Sequence, residues 1–457
     1  MEYSKLAPAY KEEYIEKLFP LLRIPSVFEA SDHFPYGKSI DEALHYMLSL
    51  GKEDGFLCSN IEGHAGHIEF GAGEEVIGLL GHLDVVPPGD GWSTEPFQPV
   101  IEGDCLYARG AQDDKGPVVA AYLAMKLLKD QGFVPKKRVR LILGTDEERD
   151  WKGIEHYFKK EEMPVFGFTP DAVFPVIHAE KGLIDSYINF DVPDVTSSNA
   201  LLSFSSGERL NMVPDAAEAR LKINDIEELF QAFLNLHQLK GNIQKQENTF
   251  LLTLYGKTAH GSKPENGVNA ALHLLKFLKE IQLHPDHAEI VNHIIECLSD
   301  PAGSGLNCNF QDEVSGNLTC NMGIVDWKSG EKCRVGVNVR YPVTIDSELI
   351  VQSLKRFSKK AHGTMEIYDH LKALHIKKEH PHIQALLEIY NRHAEDTAIP
   401  HSIGGATYAR ALETGVAYGA LFKDSPDTAH QANEHIQLKD MIKAIAIYAE
   451  AIQHLSR

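Results

Sequence analysis

The first residues whose types and spacing could do chemistry are His82 and Asp84. They stand two apart at the end of an apolar run, and this spacing puts both side chains on one side of an extended strand. In such a pair the aspartate can accept the hydrogen bond of the imidazole nitrogen that does not face a metal ion. Alone, the pair is weak support for a metal site, because a loop histidine beside a capping aspartate is commonplace.

Acidic residues cluster in two further segments. Asp113 and Asp114 stand just ahead of an apolar stretch with helical spacing, where an N-cap would account for one acid but not for both. Asp146, Glu147 and Glu148 directly follow a buried apolar run. As a solvated loop such a run of acids is ordinary, but at the end of a parallel strand carboxylates this close need a cation or a proton to coexist.

Three of these residues and two further positions supply a set of oxygen and nitrogen ligands without a thiolate. Such a set suits two divalent cations. Its members are His82, Asp113, Glu148, Asp171 and His430. Two cations that share a carboxylate can activate water and polarise a carbonyl group. Hydrolysis of an amide then needs a carboxylate that is not bound to metal, and Glu147 fits that role as general base.

The elements that must position these residues form an α/β sheet. Apolar runs over 75–80 and 139–144 predict buried strands with polar residues at their carboxyl ends. Between them the spacing of apolar residues predicts a helix from Pro117 to about Gly132. Strand, helix and strand imply a parallel pair, and ligands of parallel sheets gather at the carboxyl ends of the strands.

The pattern of predicted elements changes after residue 186, to alternating strands and charged helices, and changes back at residue 377. This predicts an inserted domain. Residues 1–186 and 377–457 read as two parts of one catalytic domain with a mixed, mainly parallel sheet between helices. Residues 187–376 read as an α+β domain that contains the same unit twice, over 210–254 and 318–367. We expect an α/β protein with an inserted lid of two similar halves.

Composition narrows the classes of partner and compartment. Lys plus Arg number 45 and Asp plus Glu 65, so the net charge is −20 and nucleic acid is not expected as a partner. The first residues show no basic stretch followed by an apolar run, so neither secretion nor membrane association is expected. Six scattered cysteines without a CxxC pair predict reduced thiols and a cytoplasmic protein.

Eight ordered motifs resemble one family. The sequence is similar to the co-catalytic zinc peptidases of the aminoacylase and carboxypeptidase G clan, and within it most to the bacterial PepV-type dipeptidases. The resemblance spans essentially the whole chain with comparable spacings, which makes the set far more specific than any one motif. The motifs are GHLDVVPPGDGW (81–92), RGAQDDKGP (109–117), GTDEE (144–148), TPDAVFPVIHAEKG (169–182), NMVPD (211–215), TAHGSKPENGVNAA (258–271), GGATYAR (404–410) and HQANE (430–434).

The resemblance implies a site with two Zn²⁺ ions, for which Mn²⁺ or Co²⁺ could substitute. Asp113 would bridge both ions. His82 and Asp171 would complete the protein ligands of one ion, and Glu148 and His430 those of the other.

The resemblance also implies roles beside the metals. Asp84 would be the partner of the neighbouring histidine ligand, and Glu147 the general base. The peptide bond between Asp113 and Asp114 would be cis. His260, in the inserted domain, would donate a hydrogen bond to the substrate oxygen on which negative charge develops.

A third group of residues would bind the substrate. The resemblance implies that Asn211 and Arg340 hold the terminal carboxylate of a peptide, and a planar guanidinium suits this task. A surface role for Arg340 on a strand is an equally simple reading of the sequence. The turn with Gly404, Gly405 and Thr407 offers backbone N–H groups to the same carboxylate.

The function expected from these features is the metal-dependent hydrolysis of dipeptides with broad side-chain tolerance. An alternative keeps the chemistry but acts on N-acyl amino acids or succinyl-diaminopimelate. A second alternative is a metal-loaded binding protein without catalysis. Glu147 argues against it, because a protein that only binds has no use for a carboxylate that is not bound to the metals. Because the inserted domain is doubled, we expect a monomer whose His260 serves its own chain, whereas relatives with a single lid unit borrow that histidine from a partner.

Overall fold

A computed structural model describes residues 2–457 of the chain. The backbone divides into two compact units. The first unit consists of the chain up to His178 together with Ile376–His401 and Ala406–Arg457, and the second of Ala179–His375 and Ser402–Gly405. The limits placed from the sequence are 186/187 and 376/377. Among the described residues, the helices lack the combination of length and apolar character that crossing a lipid bilayer requires.

The helices of residues 2–457 are numbered in chain order. They are α1 (Tyr3–Leu6), α2 (Lys11–Arg23), α3 (Lys38–Glu53), α4 (Lys115–Asp130), α5 (Lys152–Phe158), α6 (Glu227–Leu236), α7 (Ala270–Glu280), α8 (Pro285–Leu298), α9 (Ser347–Lys360), α10 (Pro381–Ala394) and α11 (Leu438–Leu455). Short 3₁₀ turns cover Ala7–Tyr10, Pro264–Asn266, Ser304–Leu306 and Tyr408–Ala411.

The strands are numbered in the same way. They are β1 (Leu57–Ile61), β2 (Ala65–Phe70), β3 (Val76–His82), β4 (Val100–Glu102), β5 (Cys105–Tyr107), β6 (Arg138–Gly144), β7 (Phe166–Thr169), β8 (Ala172–Val173), β9 (Ile177–Glu180), β10 (Gly182–Asp191), β11 (Ala200–Ser206), β12 (Ala216–Lys222), β13 (Lys240–Gln246), β14 (Thr249–Tyr255), β15 (Gln311–Asp312), β16 (Gly316–Asn317), β17 (Thr319–Lys328), β18 (Lys332–Tyr341), β19 (Thr364–Leu371), β20 (Leu374–His375), β21 (His401–Ile403), β22 (Gly415–Ala417), β23 (Ala420–Leu421) and β24 (His435–Gln437).

The sheet of the first unit has parallel strands at its centre. Strands run in the order β1-β2-β6-β3-β7-β22-β9, with β6, β3, β7 and β22 parallel and the flanking pairs antiparallel. Every residue of β3 is buried, and nearly every residue of β6. This is typical of parallel strands covered by helices on both faces. The predicted mixed sheet with a parallel pair around the helix is confirmed.

Helix α4 begins at Lys115, two residues earlier than the sequence predicts. Pro117 is accommodated because it lies in the first turn, where its missing N–H would have no helical partner. Every residue from Val118 to Met125 is buried, whereas the sequence predicts only one buried face. The reason is that α2 and α11 pack against α4 in addition to the sheet. The loop ahead of α4 is thereby anchored to the core of the unit.

The second unit contains an eight-stranded antiparallel sheet. Its order is β13-β14-β12-β11-β17-β18-β10-β19. Buried and less buried residues alternate along β12 and β14, as expected when one face of a sheet is covered. Phe230 of α6, Leu274 of α7, Ile294 of α8 and Leu354 of α9 belong to the core on that face.

The second unit is built from two similar halves, and the strands of these halves follow one another along the chain in an order that the sequence does not predict. One half consists of β11, β12, α6, β13 and β14. The other consists of β17, β18, α9 and β19, with β10 supplied from ahead of the first half. β10 lies between β18 and β19 as β14 lies between β12 and β13. The halves join where β11 pairs with β17, from Ser203 opposite Lys328 to Ser206 opposite Val325.

Candidate metal centre

The candidate ligands of the first unit lie at the carboxyl ends of neighbouring parallel strands. His82 is the last residue of β3 and pairs in register with Gly144, the last residue of β6. Glu147 and Glu148 follow β6 in the next loop, and Asp171 follows β7. The parallel register therefore brings residues that are far apart in the sequence to one edge of the sheet.

Six side chains at this edge form two groups. Within each group, one ligand atom per residue lies within 4.8 Å of the others. The groups are His82, Glu147 and Asp171, and Asp113, Glu148 and His430. The Asp113 carboxylate faces both groups: Oδ1 is 2.9 Å from His82 Nε2, and Oδ2 is 2.8 Å from His430 Nε2. A bridging ligand needs this arrangement of one oxygen toward each side.

Further distances tighten the two groups. His430 Nε2 is 3.1 Å from Glu148 Oε1, and His82 Nε2 is 3.7 Å from Asp171 Oδ2. The peptide bond between Asp113 and Asp114 is cis. Carboxylates and imidazoles without a thiolate form a donor set that fits divalent cations such as Zn²⁺, Mn²⁺ or Co²⁺.

The carboxylates of the two groups favour positive charge, and the raised pKa values of His82 and His430 reflect this. Burial alone would lower the pKa of His82, but hydrogen bonds to the surrounding aspartates outweigh burial and raise it well above its usual range. Hydrogen bonds to Asp113 and Glu148 raise the pKa of His430 to about 10. The carboxylates thus attract positive charge to both Nε2 atoms, and divalent cations held by these groups would supply that charge.

Glu147 is held at both ends of its backbone unit. Its N–H donates to Asp84 Oδ1 at 3.2 Å, and its carbonyl accepts a hydrogen bond from Trp151 Nε1 at 2.7 Å. Burial is the largest cause that raises the pKa of its carboxyl group well above the usual range, and the charges of Asp171 and Glu148 add to it. A carboxyl group with a raised pKa is suited to proton transfer near neutral pH.

Asp84 contacts His82 through its main chain. His82 Nδ1 donates to the Asp84 carbonyl at 2.9 Å, whereas the nearer carboxylate oxygen is 3.6 Å away. The Asp84 carboxylate instead accepts the N–H groups of Glu147 and Glu148, the latter at 3.0 Å. Asp84 therefore orients the imidazole with one group and fixes the loop after β6 with the other.

Glu434 organises the loop that presents Asp113, a role for which the sequence offers no signal. It is fully buried and accepts the N–H groups of Gly110, Gln112 and Asp113 at 3.0, 2.8 and 3.0 Å. It also receives Arg109 Nη1 at 2.6 Å. Four donors satisfy one buried carboxylate, as a buried charge requires.

Gln112 connects this loop to the one that carries His430. Its Oε1 accepts the N–H groups of Thr428 and Ala429, each at 2.7 Å, and its Nε2 donates to the carbonyl of Pro426 at 2.8 Å. A lone glutamine in a sequence carries no pattern from which this contact could be inferred. The two loops that supply Asp113 and His430 are thereby tied together.

The second unit brings together its own candidate residues. The carbonyl of Asn211 accepts the N–H of Gly261 at 2.7 Å, and His260 pairs as an isolated bridge with Met212. Arg340 is buried and donates through Nη1 to the carbonyl of Gly404 at 2.5 Å. The equally simple interpretation of Arg340 as a surface residue is wrong, because only 4% of the residue is exposed.

Two residues that the sequence does not single out orient Arg340. Asn338 accepts Arg340 Nε through Oδ1 at 3.2 Å and donates through Nδ2 to Asp185 Oδ1 at 2.6 Å. A carboxylate can only accept here, so Asp185 fixes which end of the amide faces Arg340. Asp185 and Asn338 lie directly opposite each other in the pairing of β10 with β18.

The glycine-rich turn contributes residues to both units. Gly404 and Gly405 belong to the second unit and Thr407 to the first. Thr407 Oγ1 accepts the N–H of Ala409 at 3.3 Å and caps the 3₁₀ turn Tyr408–Ala411. A role of this turn in binding a carboxylate stays a prediction.

Comparison with known proteins gives consistent relatives. A Bacillus subtilis (strain 168) protein named "Putative dipeptidase YtjP" is 42% identical over 456 residues, which cover 98% of each chain. A Staphylococcus haemolyticus (strain JCSC1435) protein named "Putative dipeptidase SH1171" is 41% identical over 464 aligned positions, which cover 98% of this chain and 97% of the relative.

A solved structure shares the fold at low sequence identity. The aminoacylhistidine dipeptidase from Vibrio alginolyticus superposes with a TM-score of 0.58 at 14% identity, over 96% of each chain. The model of peptidase family M20/M25/M40 matches residues 78–454, a range that contains every candidate ligand described above. The chain is therefore a metallopeptidase that belongs to peptidase family M20/M25/M40.

Proposed function

We propose that the chain hydrolyses the peptide bond of dipeptides with broad tolerance for their side chains. The observation that carries the proposal is the Asp113 carboxylate, whose two oxygens face His82 and His430 at 2.9 and 2.8 Å. Two relatives that are 42% and 41% identical are each named "Putative dipeptidase", and these names support dipeptides as the substrate class.

Two zinc ions would be held by five of the six grouped side chains, with Asp113 shared between the ions and Glu147 left off both. The assigned protein ligands are His82 and Asp171 on one side and Glu148 and His430 on the other. When bound, the ions would polarise the carbonyl group and lower the pKa of a water molecule. Manganese or cobalt would meet the same donor set.

Glu147 is proposed as the general base. Its carboxylate would accept a proton from the attacking water and pass it to the nitrogen of the leaving amine, so that the amine departs neutral. Two features support this role. Its backbone is fixed by Asp84 and Trp151, and burial raises the pKa of its carboxyl group.

The residues of the inserted domain are proposed to bind the substrate. His260 would donate a hydrogen bond to the carbonyl oxygen as it becomes negative. Asn211 and Arg340 would hold the free C-terminal carboxylate, with the N–H groups of Gly404 and Gly405 and the turn residue Thr407 adding donors. A substrate held in this way is limited to one residue beyond the bond that breaks.

We further propose that the protein works in the cytoplasm as a monomer. The six cysteines are all free thiols in the described part of the chain, which suits a reducing compartment. The two halves of the second unit join into one sheet within a single chain, which supports a self-contained lid.

The same chemistry could act on N-acyl amino acids or on succinyl-diaminopimelate. One assay separates these substrates from dipeptides. The metal-free protein is reloaded with zinc, manganese or cobalt and given dipeptides, tripeptides and N-acetyl amino acids, with the Glu147→Gln variant as the control for contaminating activity. Hydrolysis of dipeptides above all others is expected, and preferred hydrolysis of N-acetyl amino acids would overturn the proposal.

A further inference from the structure

The imidazole of His260 receives two hydrogen bonds from one neighbouring residue. Ser262 Oγ lies 2.7 Å from His260 Nδ1, and the backbone N–H of Ser262 donates to the same nitrogen at 3.3 Å. Nothing in the proposed chemistry assigns a task to Ser262. Its contacts nevertheless determine what the imidazole can offer to a substrate.

The backbone contact shows where the imidazole proton lies. A backbone N–H can only donate, so Nδ1 must present a lone pair to it. A neutral imidazole carries one proton, which must then sit on Nε2. The Ser262 hydroxyl, which can donate or accept, accordingly donates to Nδ1. A doubly protonated His260 would point an N–H at another N–H, so this arrangement also disfavours the imidazolium form.

The loop around His260 is held in a way that preserves these contacts. The N–H of Gly261 donates to the carbonyl of Asn211 at 2.7 Å, and the N–H of Lys263 donates to the carbonyl of His260 at 2.9 Å. A Cβ added at Gly404 would lie 3.3 Å from Ser262 Cβ, so Ser262 lies close against the glycine-rich turn. The serine is therefore supported on both sides within the second unit.

We propose that Ser262 is a positioning residue, which holds His260 as a neutral imidazole with its proton on Nε2. The Nε2–H group is then a permanent donor, available to an oxygen that becomes negative, and no rotation or proton shift is needed during the reaction. This inference rests on the proposed function, because it concerns the donor role assigned to His260.

The test is a double-mutant cycle with a conservative control. Ser262→Ala removes the hydroxyl donor, and we expect kcat for dipeptides to fall at least about tenfold with little change in KM, a part of the ~10²–10³-fold that loss of such a donor costs. Ser262→Thr retains a hydroxyl and should restore most of kcat. In the His260→Ala background, Ser262→Ala should have no further effect, since a residue that acts through His260 has nothing left to position.

A second measurement reads the tautomer without any substrate. Nitrogen NMR of protein labelled on histidine, with the His260→Ala variant to assign the signal, should show the proton on Nε2 in the native protein. In Ser262→Ala only the longer backbone contact of 3.3 Å remains, so a measurable share of the tautomer with its proton on Nδ1 should appear. A proton on Nδ1 in the native protein would overturn the inference, as would an equal loss of kcat from Ser262→Ala in both backgrounds. A protein with the expected tautomer that cleaves no dipeptide would refute the proposed function but not the positioning of His260.

Discussion

At the scale of single residues, Glu147 and Glu148 are adjacent acids with different surroundings, so the same substitution should affect them differently. Glu148 lies 3.1 Å from His430 Nε2 and is a proposed metal ligand, whereas Glu147 is proposed to bind neither metal. We expect Glu147→Gln to keep its metal and to lower kcat by at least ~10²-fold, because the proton acceptor is lost but no assigned ligand is. Mass spectrometry of bound metal, run beside turnover measurements, checks both parts.

The matched control is Glu148→Gln, made one residue away. It should lose metal because an amide is a weaker ligand than a carboxylate for these cations. If Glu147→Gln lost metal while Glu148→Gln kept it, the roles of the two residues would have to be exchanged.

Glu434 should influence metal binding although it is not assigned as a ligand. Glu434→Gln replaces one carboxylate oxygen by a donor that faces backbone N–H groups, which disturbs the loop of Gly110, Gln112 and Asp113. We expect metal affinity to fall about 10–100-fold, the range for residues that orient metal ligands. Competition with a chelator measures this change.

Glu102→Gln serves as the control for Glu434→Gln, because it makes the same replacement at an exposed position of β4. It should leave metal affinity unchanged. Equal affinity in Glu434→Gln and in the unaltered protein would show that the loop keeps its shape without this carboxylate.

The roles that could be predicted from the sequence belong to residues whose own side chains carry the chemistry. His82, Asp113 and Glu148 are such residues, because acids and imidazoles beside apolar runs limit the chemistry to a few choices. Glu434 and Ser262 lie within two of the motifs, but their roles consist of hydrogen bonds to backbone N–H groups and to one imidazole nitrogen, which no pattern of side chains indicates. Positioning residues of this kind become visible only when hydrogen bonds are measured.

At the scale of elements, strand β18 supports the proposed recognition of the substrate carboxylate. Asn338 and Arg340 are two apart on the strand and share one side of the sheet, where Asn338 Oδ1 orients Arg340 Nε at 3.2 Å. We expect Arg340→Ala to cost roughly 2–5 kcal/mol in kcat/KM for dipeptides, the range for loss of a buried charge partner. Dipeptide amides, which lack the terminal carboxylate, should be poor substrates of the unaltered enzyme. Arg340→Ala should therefore lower kcat/KM for the amides only slightly further.

Arg334→Ala is the control on the same strand, because it also removes an arginine but one that is not assigned to the substrate. The Arg334 guanidinium stacks on Tyr187, with its carbon 3.6 Å from the ring centroid. It should leave the preference for dipeptides over their amides intact. If the native enzyme cleaved amides and longer peptides as readily as dipeptides, the carboxylate clamp would be wrong and a carboxypeptidase or acylase would be favoured.

Elements were predictable where the pattern is local. The runs that form β3 and β6 are apolar throughout, and the helix between them has a 3.6-residue period, so their parallel pairing follows from the connection. The place of β10 between β18 and β19 does not follow from any local pattern. It depends on partners roughly 140–190 residues away, because antiparallel strands with alternating burial can pair with many others.

At the scale of the whole molecule, removal of metal should abolish activity without unfolding the chain. Each unit has an extensive apolar core, exemplified by Val118 and Tyr448 in the first and Phe230 and Val337 in the second. The candidate ligands lie at strand ends and in loops, so a chain of this size does not depend on cations to fold. Chelated protein should keep its far-ultraviolet circular dichroism and should melt at a somewhat lower temperature.

Readdition of zinc, manganese or cobalt should restore activity and the original melting temperature. Chelated protein that still hydrolyses dipeptides would end the metal hypothesis. Chelated protein that loses its circular dichroism would show that the cations contribute to folding itself.

The doubled second unit leads to a prediction about assembly. The pairing of β11 with β17 closes one half of the sheet against the other, so that edge of the first half is not open to a second chain. We therefore expect a monomer in which His260 serves its own chain. Light scattering should give the mass of a single chain at every concentration tested.

Mixing two inactive variants tests the same point through function. Glu147→Gln lacks the proposed general base and His260→Ala the proposed donor, so each is expected to have little activity alone. If dimers shared their sites, random exchange would create mixed dimers with one intact site, and about a quarter of native activity would return. A self-contained chain carries its own defect into any mixture, because neither variant can lend its intact residue to the other. We expect no recovery, and recovery together with a dimer mass would show that the second half of the lid does not replace a partner.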